Sequence, residues 1–259
     1  MIVRKPGNGE LLLIGQTDHS RLAGQLAAHW GNKNFAVPDP YDSMARAATF
    51  HDYGWLRYET VPLLNPKNGE PYKFLELPIG AAQLDSYQWA LDWLSGIDRY
   101  SGMIVNMHRT GLWQSRYNTI TRPKGYVPRE LTPEIREFIK RNETWQDRER
   151  QSFDNDSLWI NYRLMQVWDI FALYFCCDDP YEEYIEPVPV SYSDKPCVCL
   201  TLKPVGPAKV SCEPYPFDVR PFHVQLFCRR LPKTSYENVD EFRRAYFGAE
   251  CDVCRFEIC

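Results

Sequence analysis

Residues 47–55 read Ala-Ala-Thr-Phe-His-Asp-Tyr-Gly-Trp, a stretch with the composition of a buried helix that carries two adjacent ionisable side chains, His51 and Asp52. Neighbours on an α-helix point about 100° apart, so both cannot face one point of a passive core. They can grip opposite sides of an ion lodged between that helix and its neighbours. Such a chain has to bring further ligands to the pair from other helices.

The helices are legible from period and punctuation. The first begins at Thr17 or Asp18, either able to cap it. Leu22, Ala23, Leu26, Ala27 and Trp30 recur at helical spacing, and Gly31-Asn32 stops it. A second is expected over 41–55, with Met44, Ala47, Ala48 and His51 on one stripe. Residues 60–80 are rich in Pro, Gly and Asn and read as a long irregular loop, the kind that often serves as a lid. A third helix is expected over 80–95 and a fourth over 99–113, the latter carrying His108. The segment 114–131 is irregular and holds Arg116, Arg122, Lys124 and Arg129. Thr132-Pro133-Glu134 is a helix start with a capping residue before a first-turn proline, and that helix runs to about Arg150. The last long helix covers 157–176 and is nearly all apolar or aromatic, with Asp169 in its middle.

Before the strand-rich tail, residues 1–16 read as a hairpin or short strand around the run Leu11 to Ile14. After Pro180 the texture changes: prolines are frequent, and short alternating runs at 197–202, 208–212, 222–228 and 254–258 read as strands of a small antiparallel sheet. The expected fold class is therefore mainly α, a helical bundle with a small C-terminal antiparallel β appendage. The expected division is a helical domain over 1–180 and a β-rich appendage over 181–259. All nine cysteines lie at or beyond Cys176. The odd count, and the absence of a signal-peptide pattern, argue for free, reduced thiols rather than a disulfide framework; the one CxxC, Cys251 to Cys254, lacks the second pair a zinc site needs.

Totals exclude some classes. A net charge of −4 over 259 residues does not suit a dedicated nucleic-acid binder. No apolar run approaches the roughly 20 residues that span a bilayer, so a cytoplasmic protein acting on a small molecule is expected. The β part and its thiols are compatible with a contact between copies of the chain.

Five ionisable residues fall on apolar helix faces: His19, His51, Asp52, His108 and Asp169. A buried carboxylate needs a strong partner, and Asp169 in Met-Gln-Val-Trp-Asp-Ile-Phe-Ala-Leu-Tyr-Phe has none nearby in sequence except an arginine brought from elsewhere, such as Arg46. Imidazole and carboxylate donors together suit Zn, Fe or Mn. Taken singly, His19 or His108 is more often a hydrogen-bonded core or capping residue than a ligand, Asp169 can cap a loop or pair with an arginine, and His51-Asp52 is a common dipeptide; the conjunction points to a metal.

The order of His19, then His51-Asp52, then a distant Asp169 resembles the HD superfamily of metal-dependent hydrolases and oxygenases, in an uncharacterised bacterial branch. The resemblance, carried also by Phe-His-Asp-Tyr-Gly-Trp, Met-His-Arg-Thr-Gly-Leu and Val-Trp-Asp-Ile, implies an HD-type helical bundle holding one or two divalent transition-metal ions through His19, His51, Asp52, His108 and Asp169. It implies a phosphohydrolase of a small phosphorylated metabolite, using a metal-activated water, with Asp52, His108 and Arg109 as catalytic residues and Arg116 near the mouth. Active two-metal members carry a histidine where this chain has Gln83, with Asp85 close by. Two alternatives stand beside the hydrolase: a di-iron oxygenase of the same superfamily, and a non-catalytic metal-binding or interaction module.

Overall fold

The computed structural model describes residues 1–7, 9–114, 130–176, 181–193 and 197–259. In chain order the elements are β1 (Ile2–Arg4), β2 (Leu11–Ile14), α1 (Gln16–Ala28), α2 (Tyr41–Phe50), α3 (Leu56–Thr60), β3 (Leu64–Asn65), β4 (Glu70–Pro71), α4 (Ala81–Ile97), α5 (Arg99–Trp113), α6 (Pro133–Glu149), α7 (Asn155–Cys176), β5 (Glu183–Val188), β6 (Val198–Gly206), β7 (Lys209–Glu213), β8 (Phe222–Leu231), α8 (Val239–Gly248) and β9 (Cys251–Ile258).

Seven of these strands form one curled sheet in the order β1-β2-β8-β9-β7-β6-β5. This overturns the expected mainly α fold class: the chain is an α/β protein with a large mixed sheet, not an HD-type helical bundle with a small appendage. The hinge of the difference is β8. On one side it pairs antiparallel with β2, Leu11 opposite Leu231 and Leu13 opposite Arg229. On the other it pairs with β9 from Phe222↔Ile258 to Arg229↔Cys251. β9 in turn runs parallel to β7, Val210 opposite Ile258. An N-terminal hairpin thus becomes the extension of a sheet whose other strands lie some 200 residues away. A short run such as Leu11–Ile14 shows that it is apolar and says nothing of its partner.

The helices pack against this sheet through aromatic contacts. Trp168 and Phe171 of α7 are fully buried. Trp30 meets Trp168 and Phe217 edge-on, at 5.9 and 5.8 Å between ring centroids, while Phe175 lies 4.8 Å from Phe256 of β9. Where β2 ends, the edge of β8 would be left open, and α1 runs along it. There Gln25 donates to the carbonyl of Gln225 at 2.8 Å and accepts from its N–H at 2.9 Å, so one amide side chain stands in for a strand.

Local signals fared variously. Thr132 caps α6 by accepting from the Ile135 N–H, with Pro133 in the first turn. α1 is different: Gly15 precedes it without a side-chain cap, because the Thr17 hydroxyl donates to Glu59 at 2.5 Å and Asp18 pairs with Arg21. The second helix stops at Phe50, and a 3₁₀ turn over Tyr53–Trp55 follows. The loop over 60–80 is mostly irregular, apart from the two-residue strands β3 and β4. No helix among the described residues is long and apolar enough to cross a membrane.

Candidate metal centre

The early end of α2 explains how adjacent residues can serve one centre. His51 sits at the helix C-cap with α-helical angles, while Asp52, at φ −108° and ψ 18°, has left the helix. The 100° divergence of helical neighbours no longer applies, and both side chains turn inward. His19 comes from α1, His108 from α5 and Asp169 from α7. All five are buried, none more than 6 % exposed.

Their donor atoms form two overlapping groups. His19, His51 and Asp169 offer atoms within 4.8 Å of one another, and so do His51, Asp52 and His108. His51 belongs to both. Its ring lies 5.2 Å from that of His19 and 4.9 Å from that of His108, each edge-on. Every sequence-predicted ligand is therefore brought to one place.

Hydrogen bonds fix the orientation of the first group. His19 Nε2 lies 2.8 Å from Asp169 Oδ1, with the Cys176 thiol 3.8 Å behind its Nδ1. His51 Nδ1 donates to the Ala48 carbonyl at 2.8 Å, which fixes its tautomer and turns Nε2 toward the cluster. That Nε2 has no hydrogen-bond partner among the described residues, though Asp169 Oδ1 at 3.4 Å and Asp52 Oδ2 at 3.7 Å face it. A buried nitrogen aimed at two carboxylates and bonded to neither has the geometry of a ligand. The donor set fits a divalent transition metal: neutral nitrogens and hard oxygens, with the orienting backbone bond such imidazoles require.

Electrostatics agree with this geometry. Burial alone raises the pKa of Asp169, but the hydrogen bond with His19 and the nearness of the His51 imidazole outweigh it and hold the carboxyl well below the usual range. For His51, burial acts to lower the value, and the charges of Asp52 and Asp169 reverse it to a net rise. For His108, burial, and after it His51, hold the imidazole well below 6.5. The unfolded chain, with an ordinary imidazole, takes up a proton below that pH that the folded chain refuses. Stability contributed by His108 is thus full above 6.5 and falls as pH falls through it. The urea midpoint of metal-free protein should therefore drop between about pH 7.5 and about pH 5.5, and drop less in His108→Gln. An equal drop in both would show that His108 is not held neutral.

Arg109 follows His108 on α5 and is 8 % exposed. Its guanidinium lies over the Tyr87 ring at 4.6 Å and the Trp113 ring at 5.3 Å, with one terminal nitrogen 3.8 Å from Asp52 Oδ1. Its Nε has no hydrogen-bond partner among the described residues. Other expectations resolve elsewhere. Arg46 pairs with Asp98 at 2.5 Å, not with Asp169. Gln83 donates to the Gly54 carbonyl at 2.9 Å, and Asp85 is exposed on α4 and in neither ligand group. Arg116, Arg122, Lys124, Arg129 and Cys177 lie outside the described residues.

One buried carboxylate near the centre carries no signal in the sequence. Glu59, on the single-turn helix α3, accepts from the hydroxyl and the N–H of Thr17, two residues before His19. Burial raises its pKa despite those bonds. The α-amino group of Met1 is buried beside Glu59 and Asp52, and burial brings it down to about 5. One open cleft of 460 Å³ between α4, α5 and α6 includes Arg99, Arg141 and Arg148 and none of the five cluster residues.

Searches of curated proteins and of solved structures find no match. A family model described as a protein of unknown function, DUF3891, matches residues 1–233, a span that contains all five cluster residues and Arg109. The match takes the place of the resemblance to the HD superfamily, and the chain belongs to the DUF3891 family.

Proposed function

We propose that the protein is a metal-dependent hydrolase of a small phosphorylated molecule. The observation that carries this reading is the convergence of three imidazoles and two carboxylates on one buried point, with the His51 Nε2 pointing into it and without a hydrogen-bond partner among the described residues. His19, His51, Asp52, His108 and Asp169 would hold one or two divalent ions of Fe, Mn or Zn. Such an ion supplies Lewis acidity, acidifying a water and polarising a phosphoryl oxygen.

The chain's own residues divide the remaining work. His108, kept neutral by burial, keeps its lone pair at neutral pH. Asp52 turns one oxygen toward His51 and the other toward Arg109, so it links the ligand cluster to the cation beside it. Arg109 is a permanent cation, buried, its Nε without a hydrogen-bond partner among the described residues, and its fork suits phosphoryl oxygens. Tyr87 and Trp113 keep its position without using its N–H groups.

The test is direct. Protein purified without metal-chelating resin should contain a transition metal and release inorganic phosphate from phosphomonoesters, and a chelator should abolish that release. His51→Ala should lose the metal. Arg109→Met should keep it and lower kcat/KM about 100-fold. Metal-free protein that resists reconstitution would refute the centre; metal-loaded protein inactive on phosphomonoesters would refute the hydrolase and leave the centre standing.

A further inference from the structure

Away from the metal centre, two thiols meet in the middle of the sheet. Leu226 of β8 lies opposite Cys254 of β9, and Cys228 lies opposite Asp252, so the two cysteines are diagonal neighbours on one face. Their sulfurs are 3.6 Å apart. Disulfide sulfurs stand at about 2.05 Å, so an approach of about 1.5 Å separates this contact from a bond. Cys251, three positions before Cys254 in the same strand, projects from the opposite face, and the CxxC of the sequence is not the pair.

The two thiols are unequal. Cys228 is 2 % exposed, whereas Cys254 is half-buried. The contact with the Cys228 thiol brings Cys254 down to about 6; Arg230 and Arg4 nearby act in the same direction. The same contact, with burial, pushes Cys228 up. One partner is thus an accessible nucleophile, and the other a shielded resolving thiol.

We propose that Cys228 and Cys254 form a redox-active dithiol that a hydroperoxide converts to an intramolecular disulfide. The Cys254 thiolate attacks one peroxide oxygen and the O–O bond breaks, the departing oxygen leaving as water or an alcohol. Cys254 is now a sulfenic acid. The Cys228 sulfur, giving up its proton, attacks the Cys254 sulfur and expels the hydroxyl as water. Two thiols have lost two electrons, and the peroxide has taken them. The crosslink staples the two central strands of the sheet around α8.

Full-length protein treated with equimolar hydrogen peroxide and digested without reductant should yield one new crosslinked peptide, joining Cys228 to Cys254, that dithiothreitol dissolves. In Cys228→Ser the intermediate should be stranded, and a dimedone probe should label Cys254. A crosslink mapped to another pair, or a Cys254 carried to the sulfinic acid in wild-type protein without a crosslink, would overturn the proposal. So would dimedone labelling of Cys251 with none on Cys254. Should Cys228→Ser fail to fold, the wild-type peptide map decides alone.

Discussion

Replacing Asp169 by alanine is expected to abolish metal binding and to lower the stability of the metal-free protein by about 3–5 kcal/mol, the range for breaking a buried charged pair from one side. Asp169 Oδ1 is the acceptor that His19 uses at 2.8 Å and that His51 faces at 3.4 Å, in the middle of a helix whose neighbours Trp168 and Phe171 are fully buried. Without it, His19 loses its acceptor and His51 keeps only the more distant Asp52 as counter-charge, so burial acts on both imidazoles against weaker opposition. Urea unfolding of metal-stripped protein, with elemental analysis of the untreated variant, reads both effects. Asp85→Ala, on an exposed stretch of α4, should stay within about 0.5 kcal/mol of wild type. A variant at position 169 that keeps the wild-type metal content would show that the carboxylate is a core hydrogen-bond acceptor and not a ligand.

The second large effect is steric. A Cβ added to Gly102 would lie 2.7 Å from Ser95 Cα and 2.2 Å from Ser95 Oγ, so α4 and α5 pass too closely there for any side chain. The Oγ can rotate away, but the Cα belongs to the backbone of α4. The hairpin cannot simply open either, since Asp98 ties it: its carboxylate accepts from the N–H groups of Tyr100 and Ser101 and pairs with Arg46. Gly102→Ala should therefore cost about 2 kcal/mol net of the better helix propensity of alanine, and lower Tm by about 4–8 °C. Because His108 sits on the same helix, metal affinity should fall as well. Gly96→Ala is the matched control, on α4 with nothing within 4 Å of the added methyl. It should be neutral or stabilising by up to about 1 kcal/mol, and a loss as large as that of Gly102→Ala would refute the close-approach argument.

The centre was more legible in the sequence than the architecture that holds it. Ionisable residues on apolar helix faces carry a local signal, since each violates the pattern around it, and His19, His51, Asp52, His108 and Asp169 do meet. The limits of α5 and the cap of α6 were equally local. α1 was not: Thr17 has the composition of a cap, but its hydroxyl is taken by Glu59, 42 residues on. The sheet was least legible of all. Its strands at 198–206, 209–213, 222–231 and 251–258 fall where alternation predicts them, but nothing in alternation reveals that β2 continues the same sheet. β5 contains Pro187, which reads as punctuation and is tolerated because β5 is an edge strand.

The place of β8 in the sheet has a consequence for the order of assembly. All five residues of the candidate centre precede Cys176, so a growing chain presents them before β8 or β9 exists. During that interval β2, four fully buried apolar residues in the finished protein, has β1 on one side and nothing on the other. Pairing across more than 200 residues is slow, because loop closure precedes any gain in contacts. The nascent chain is therefore most vulnerable to association through the Leu11–Ile14 edge while it waits for Arg229 to Leu231 to emerge. A metal captured early would order the helices around His19 and His51 and hold that edge beside the site that β8 will occupy.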